Sequence, residues 1–350
     1  MKVGIAGFPR SGKTTIFNAL TGQHADVGGF TEPGKVHLGT IKVPDGRIDR
    51  LSEIFQPRKT TYAEMAFVDF PAAGEGTGGS ALETATLTQM RETDALVQVV
   101  RGFPDAVSGD AANPLRDLAN FKSELLLADL VLIERRLERL KKEKGKEHEK
   151  ALLERCKGQL DAEQPLRHLE LTAEDAGALA GFGFLSRRPL LAVLNVSEAD
   201  VHAEIPPAVA QWLAAERVDG LSLSGKIEME IAALEPADRQ AFLEDLGLTA
   251  TARDRFIRAA YALLDQISFL TSGEDEVRAW TIRRGTTAVK AAGKIHSDIE
   301  RGFIRAEVVH YDDFVRYGSD AKCREHGKLR LEGKEYVVTD GDIIHFRFNV

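Results

Sequence analysis

Short, mainly apolar runs recur along the chain: KVGIAG (2–7), MAFVDF (65–70), VQVVR (97–101) and the centre of RRPLLAVLNVSEAD (187–200). A run apolar at consecutive positions suits a strand buried on both faces, so these segments predict a parallel sheet. After the first run, TIFNALTG places Ile16, Phe17 and Leu20 on one helical face. Residues 113–160 are helical in pattern almost throughout. Within them Leu126, Leu130, Ile133, Leu137 and Leu140 repeat by fours and threes, which predicts a two-helix seam. Gly145 marks the tip of the hairpin, and Leu152, Leu153, Cys156 and Leu160 form the returning face. Near the C-terminus, strand-like RAWTI and RAEVV flank a helix-like KAAGKIHSDIERG.

At 350 residues the chain has room for two or three domains. Its 46 Lys and Arg stand against 54 Asp and Glu, a net charge of −8, which excludes a general polyanion binder but leaves room for local basic patches. Two patches exist. Residues 134–157 hold ten Lys/Arg and six Asp/Glu, and residues 278–305 hold seven and two, the latter interleaved with Trp280 and Phe303. Either can be a solvated surface or an RNA contact. Cys156 and Cys323 have no metal-ligand spacing and read as reduced thiols; the nine histidines show no ligand spacing. No apolar run reaches the length of a membrane span, so the expectation is a soluble cytoplasmic protein without a leader peptide.

The chemistry concentrates after the first strand. Gly7-Phe8-Pro9-Arg10-Ser11-Gly12-Lys13-Thr14 fits G-x-x-x-x-G-K-[ST] between a strand and a helix, the context this motif requires. Backbone N–H groups of Arg10, Ser11, Gly12, Lys13, Thr14 and Thr15 are placed to receive phosphates at the positive end of the helix. Lys13 would bridge the β- and γ-phosphates, and the Thr14 hydroxyl would ligate Mg²⁺. Asp69 ends its strand where such proteins hold a water bound to the metal. Thr31, in GGFTEPG (28–34), is a further metal candidate if that loop is a switch, and an ordinary loop residue if it is not. On the base side stand Asn195 and Glu198 of N-V-S-E, and Ser224 of Ser224-Gly225-Lys226. Guanine-binding relatives carry N-K-x-D here; Val196 and Glu198 both weaken guanine recognition.

With these residues in view, the chain resembles the YchF family of Obg-like ATPases, a branch of the translation-factor class of P-loop GTPases. The likeness runs through GFPRSGKTTIFNALTG, VPDGRIDRLSEIFQPRKTTYAEMAFVDF, QMRETDALVQVVR and NVSEAD. It ends in VRAWTIRRGTTAVKAAGKIHSDIERGFIRAEV and GKEYVVTDGDIIHFRFNV. The resemblance implies an α/β P-loop NTPase (G-domain) sheet from residues 1–112 and 180–265. It also implies a helical coiled-coil insertion over 113–179 and a C-terminal β-grasp (TGS) domain over 266–350. It further implies ATP in preference to GTP, with Mg²⁺, and a ribosome or RNA partner met through the TGS domain and the helical arm, with no membrane and no DNA specificity.

Two departures bear on function. The family carries Asn-Val where this chain has Arg10-Ser11, and Ile-Ala-Gly-Leu where it has Phe70-Pro71-Ala72-Ala73. The glycine of D-x-x-G, which offers an N–H to the γ-phosphate, is therefore absent at 72; Gly74 and Gly76 come later. The expected activity is slow ATP hydrolysis, with no side chain assigned as catalytic. The alternatives are a nucleotide-gated binding protein without turnover and a conventional GTPase.

Overall fold

A strand covered on both faces must be apolar at consecutive positions, and two inner strands of the first sheet are buried at every residue. The computed structural model describes residues 1–23, 36–71 and 84–349. The chain begins with β1 (Lys2–Ala6), α1 (Lys13–Thr21), β2 (His37–Lys42), α2 (Gly46–Phe55), β3 (Lys59–Thr61) and β4 (Glu64–Asp69). It continues through α3 (Thr84–Met90), β5 (Ala95–Arg101), α4 (Pro114–Leu140), α5 (Glu147–Asp161), α6 (Ala173–Leu179) and β6 (Leu190–Asn195). Next come α7 (Pro207–Ala215), β7 (Asp219–Leu223), α8 (Gly225–Ala233), α9 (Pro236–Asp245) and α10 (Ala252–Leu263). The last stretch holds β8 (Gln266–Thr271), β9 (Glu276–Arg283), α11 (Ala288–Ile295), α12 (Ser297–Arg301) and β10 (Phe303–His310). It closes with α13 (Tyr311–Tyr317), α14 (Asp320–Glu325), β11 (Arg330–Glu332) and β12 (Asp342–Phe348). Thr31, Gly74 and Gly76 lie outside the described residues.

Two six-stranded sheets result. The first runs β2-β4-β1-β5-β6-β7. Its β4, β1, β5, β6 and β7 are parallel neighbours, with Ile5 opposite Asp69 on one side and Val97 on the other. The carboxyl ends of β1, β4 and β6 lie on the same edge, Asp69 beside the end of β1 and Asn195, level with Arg101, three residues further along, and that edge is where open parallel sheets place their ligands. Ala6, Val68, Phe70, Leu96, Val100, Phe121 and Leu194 share one buried cluster beneath them.

Long α4 begins where the sequence can cap it. The Asn113 side chain accepts the Arg116 N–H, Pro114 occupies the first turn, and Asp117 adds a favourable charge there. Its Leu126, Ile133 and Leu140 are buried against Leu152, Leu153, Cys156 and Leu160 of α5, with Leu130 and Leu137 packed alongside. The turn between the helices holds Gly145. Each buried leucine contributes about 1.5–3 kcal/mol, so this seam is the main force holding the two helices together.

By packing, the chain divides into Met1–Ile41 with Ala66–Phe256, and Lys42–Met65 with Ile257–Val350. Residues 42–65, which the sequence reading kept in the 1–112 segment, pack with the second unit. The reason is strand pairing: β3 lies parallel to β9, with Lys59 opposite Glu276. The second sheet runs β11-β10-β12-β8-β9-β3. Helix α11 lays Ala288, Ala291 and Ala292 on its apolar face, against a cluster containing Ile267, Phe269, Phe303 and Val308. The three alanines let the helix approach the sheet closely. Asp45 caps α2 and also pairs with Arg47, which reaches Asp340 at 2.9 Å within the same unit.

Candidate nucleotide site

The turn from β1 into α1 follows from its residues. Gly12, which precedes α1, has φ +87°, and a Cβ there would lie 2.1 Å from Asn195 Nδ2, so glycine alone fits. The loop closes on itself through the Ser11 N–H to the Phe8 carbonyl, and α1 starts with the Ile16 N–H on the Gly12 carbonyl. Within the loop Arg10 has φ +59°, an uncommon conformation for a residue with a side chain.

Lys13 is buried, with its Nζ donating to the Phe8 carbonyl at 3.1 Å. Burial lowers its pKa from 10.5 to about 8, against the opposing pull of Asp69. Thr14 Oγ1 donates to Asp69 Oδ2 at 2.8 Å, and His37 Nδ1 lies 3.7 Å from the same oxygen. Burial raises the Asp69 pKa; Thr14, Lys13 and His37 counter it. Among the described residues Asp69 Oδ1 and Ser11 Oγ are buried without a hydrogen-bond partner, and so is Ser224 Oγ, at the start of α8.

Asn195 stands at the end of β6, buried, and its carboxamide is used at both ends. Nδ2 donates to the Ser11 carbonyl at 2.9 Å, and Oδ1 accepts the Gly225 N–H at 2.9 Å. It therefore ties the phosphate loop to the start of α8 and keeps one amide hydrogen for a ligand. Glu198 is exposed and accepts from Lys226 Nζ at 2.7 Å. Thr15 is half-buried on α1 beside Gly225.

The structure thus brings Arg10 to Thr15, Asp69, Asn195 and Ser224 to one end of the first sheet. Glu198 lies three residues past Asn195, paired with Lys226. Lys226, named in the sequence with Ser224, faces Glu198. Two residues at this site were not singled out by the sequence: His37 faces Asp69, and Asp105, in the loop after β5, holds Arg10. Arg10 Nε lies 3.2 Å from Asp105 Oδ2. The N–H groups of Ser108 and Val107 hold the Asp105 carboxyl below its usual range.

These residues fit a nucleotide with its metal. The glycine turn leaves room for close approach to the backbone, the Lys13 ammonium is buried in the loop, and buried oxygens of Ser11 and Asp69 have no hydrogen-bond partner among the described residues. Among the described residues no cluster of three acidic, His or Cys side chains could hold a metal unaided. Thr14 with Asp69 suits a cation that draws its remaining ligands from phosphate and water.

The fold and the site define a P-loop protein of the GTPase superfamily. Residues 2–136 match the family profile MMR_HSR1, 50S ribosome-binding GTPase. Residues 266–349 match YchF-GTPase_C, described as a protein of unknown function (DUF933). The chain is 40% identical to "Ribosome-binding ATPase YchF" of Bacillus subtilis (strain 168), over 100% of both chains. It is also 40% identical to the protein of that name from Escherichia coli O157:H7, over 100% of this chain and 99% of the other. The solved structure of the Schizosaccharomyces pombe YchF GTPase superposes with a TM-score of 0.87 at 31% identity, covering 99% of this chain and 97% of that one. The chain belongs to the YchF family.

Proposed function

We propose that the protein binds ATP with Mg²⁺, hydrolyses it slowly, and uses the bound state to regulate an association with the ribosome in the cytoplasm. The observation that carries the nucleotide part is the coincidence, at one sheet end, of the buried Lys13, the Thr14–Asp69 contact and the Asn195 brace. Lys13 and the loop N–H groups would bind and orient the phosphates, with Thr14 and Asp69, and Thr31 as a candidate, holding the metal. When bound, Mg²⁺ supplies charge neutralisation at the β- and γ-phosphates. Asn195 orients the loop, and Glu198 and Ser224 border the base. The names of the relatives support ATP and the ribosome as ligand and partner.

Slow turnover follows from β4 and what comes after it. Phe70 continues the pairing beyond Asp69, its N–H on the Ile5 carbonyl at 3.0 Å, and its ring is buried against Gly4, where a Cβ would lie 2.5 Å from Phe70 Cε2. Pro71 follows, and position 72 is alanine. The chain leaving Asp69 is thus anchored in the core and lacks the glycine that would turn an N–H toward the γ-phosphate. One oxyanion donor can be worth ~3 kcal/mol in a transition state. The same anchoring favours a second reading, in which the ATP-bound state alone is the signal and turnover is negligible.

For the ribosome, two surfaces offer cations. On α4 and the turn after it, Arg135, Arg139, Lys142 and Lys144 have no acidic partner among the described residues, whereas Arg136 and Lys157 are paired. In the C-terminal unit Arg278 lies over the Trp280 ring at 3.9 Å, a pairing suited to stacking on a base. Turnover of ATP and of GTP, each with and without ribosomes, tests the reading. Expected are a slow basal rate with ATP, no advantage for GTP, and association that weakens steeply with salt. Fast ATP turnover by the protein alone would overturn slow hydrolysis.

A further inference from the structure

The loop that would cradle phosphate carries a second cation, and this one is not buried. The Arg10 side chain is 43% exposed, whereas its partner Asp105 is 7% exposed. Both contacts between them are long for a charged pair, 3.2 Å from Nε and 3.3 Å from Nη1. Asp105 does not depend on the arginine, since its Oδ1 accepts the Val107 N–H at 2.8 Å and the Ser108 N–H at 3.0 Å. Its carboxylate stays hydrogen-bonded when the guanidinium leaves. Arg10 also holds a left-handed backbone conformation, φ +59°, between the phosphate-loop residues Gly7 and Gly12. A long side chain rooted there has the phosphate cradle within its sweep.

We propose that Arg10 is a catalytic residue that Asp105 holds in reserve: its guanidinium exchanges this carboxylate for the γ-phosphoryl group during ATP hydrolysis. The proposal rests on the ATPase reading above. In the step concerned, the oxygen of water bonds to the γ-phosphorus as the bond from that phosphorus to the β–γ bridging oxygen breaks. The electron pair leaves on the β-phosphate of ADP, and the protons of the water pass to the inorganic phosphate and solvent. Negative charge spreads over the equatorial and leaving oxygens on the way, and a guanidinium there stabilises it bidentately. Arginines supplied to such a transition state accelerate it by roughly a thousandfold or more. Arg10 would supply from the loop side part of the stabilisation that the chain after Asp69 lacks.

The test separates ground state from transition state. Affinities for ADP, and for ADP with Mg²⁺ and aluminium fluoride as the transition-state analogue, are measured by calorimetry on full-length wild type, Arg10→Ala, Arg10→Lys and Asp105→Asn. Melting temperatures and single-turnover ATP rates accompany them. Arg10→Ala should keep its ADP affinity within about threefold yet lose at least ~tenfold in analogue affinity and in rate. Arg10→Lys should recover part of both losses. Asp105→Asn, which weakens the tether and leaves the arginine, should bind the analogue at least as tightly as wild type. Equal loss of ADP and analogue affinity in Arg10→Ala, or an Asp105→Asn that copies Arg10→Ala, makes the pair a structural clamp and overturns the proposal. Wild type that binds ADP but not the analogue overturns it too. Wild type that binds no adenine nucleotide removes the ATPase reading, and this inference with it.

Discussion

Asn195 and Ser11, 184 positions apart in sequence, are joined by a buried hydrogen bond of 2.9 Å from the carboxamide to the phosphate-loop carbonyl. Removing that side chain leaves the Ser11 carbonyl and the Gly225 N–H without partners. Asn195→Ala should therefore cost about 1–3 kcal/mol of stability, the usual penalty for stranded buried polar groups. Because the loop serves any nucleotide, ATP and GTP affinities should fall together. Denaturant unfolding and paired titrations measure both. A loss confined to one nucleotide would make Asn195 a base reader first.

Lys13 is the buried cation of the loop, and Lys13→Ala should weaken ATP binding at least ~tenfold, about 1.4 kcal/mol, while the fold survives. Its pKa gives a pH signature. A group lowered from 10.5 to about 8 is already losing its proton near pH 8, and bound phosphates favour the charged form. ATP binding at pH 8–9 should take up a proton, and affinity should fall as pH rises through that range. Calorimetry in buffers of different ionisation enthalpy reads the uptake, which should vanish in Lys13→Ala. Stability without nucleotide runs the opposite way. The unfolded chain holds the proton up to 10.5, so Lys13 contributes a stability that rises with pH between about 8 and 10.5.

The Glu198–Lys226 pair bears on base choice. Guanine offers two donors to a carboxylate, adenine only one, and Lys226 occupies the Glu198 carboxylate at 2.7 Å. Lys226→Ala frees it, so the ratio of GTP to ATP affinity should rise severalfold, read by competition titration. An unchanged ratio would take Glu198 out of base recognition.

Position 72 is the narrowest test of slow turnover. Replacing the whole segment 70–73 would also remove the Phe70 ring from the core, at about 3–5 kcal/mol for a truncation to alanine. Ala72→Gly leaves that ring alone. It should raise the single-turnover ATP rate with little change in ATP affinity; an unchanged rate would mean that the glycine is not what limits this protein.

What the sequence made legible was local. The phosphate loop is eight consecutive residues between a strand and a helix, and the leucines of α4 and α5 announce their seam by spacing alone. The rest depends on partners remote in sequence. Nothing near Asp105 in RGFPD shows that it meets Arg10, 95 positions earlier. The N-V-S-E signature marks Asn195 as functional but does not show that its carboxamide is shared between Ser11 and Gly225. The KTT segment at 59–61 is too short and too polar to read as a strand. Its place in the second sheet is set by β9.

That same β3 puts a delay into the protein's birth. Thr61 meets Glu276, 215 positions later, so on the translating ribosome residues 42–65 emerge long before the strand that completes them. At about 5–20 residues per second the interval is about ten to forty seconds, during which a strand segment stands unpaired. The C-terminal unit is thus finished with material made near the start of synthesis. A fragment cut at the beginning of the matched C-terminal family segment would be born without its edge.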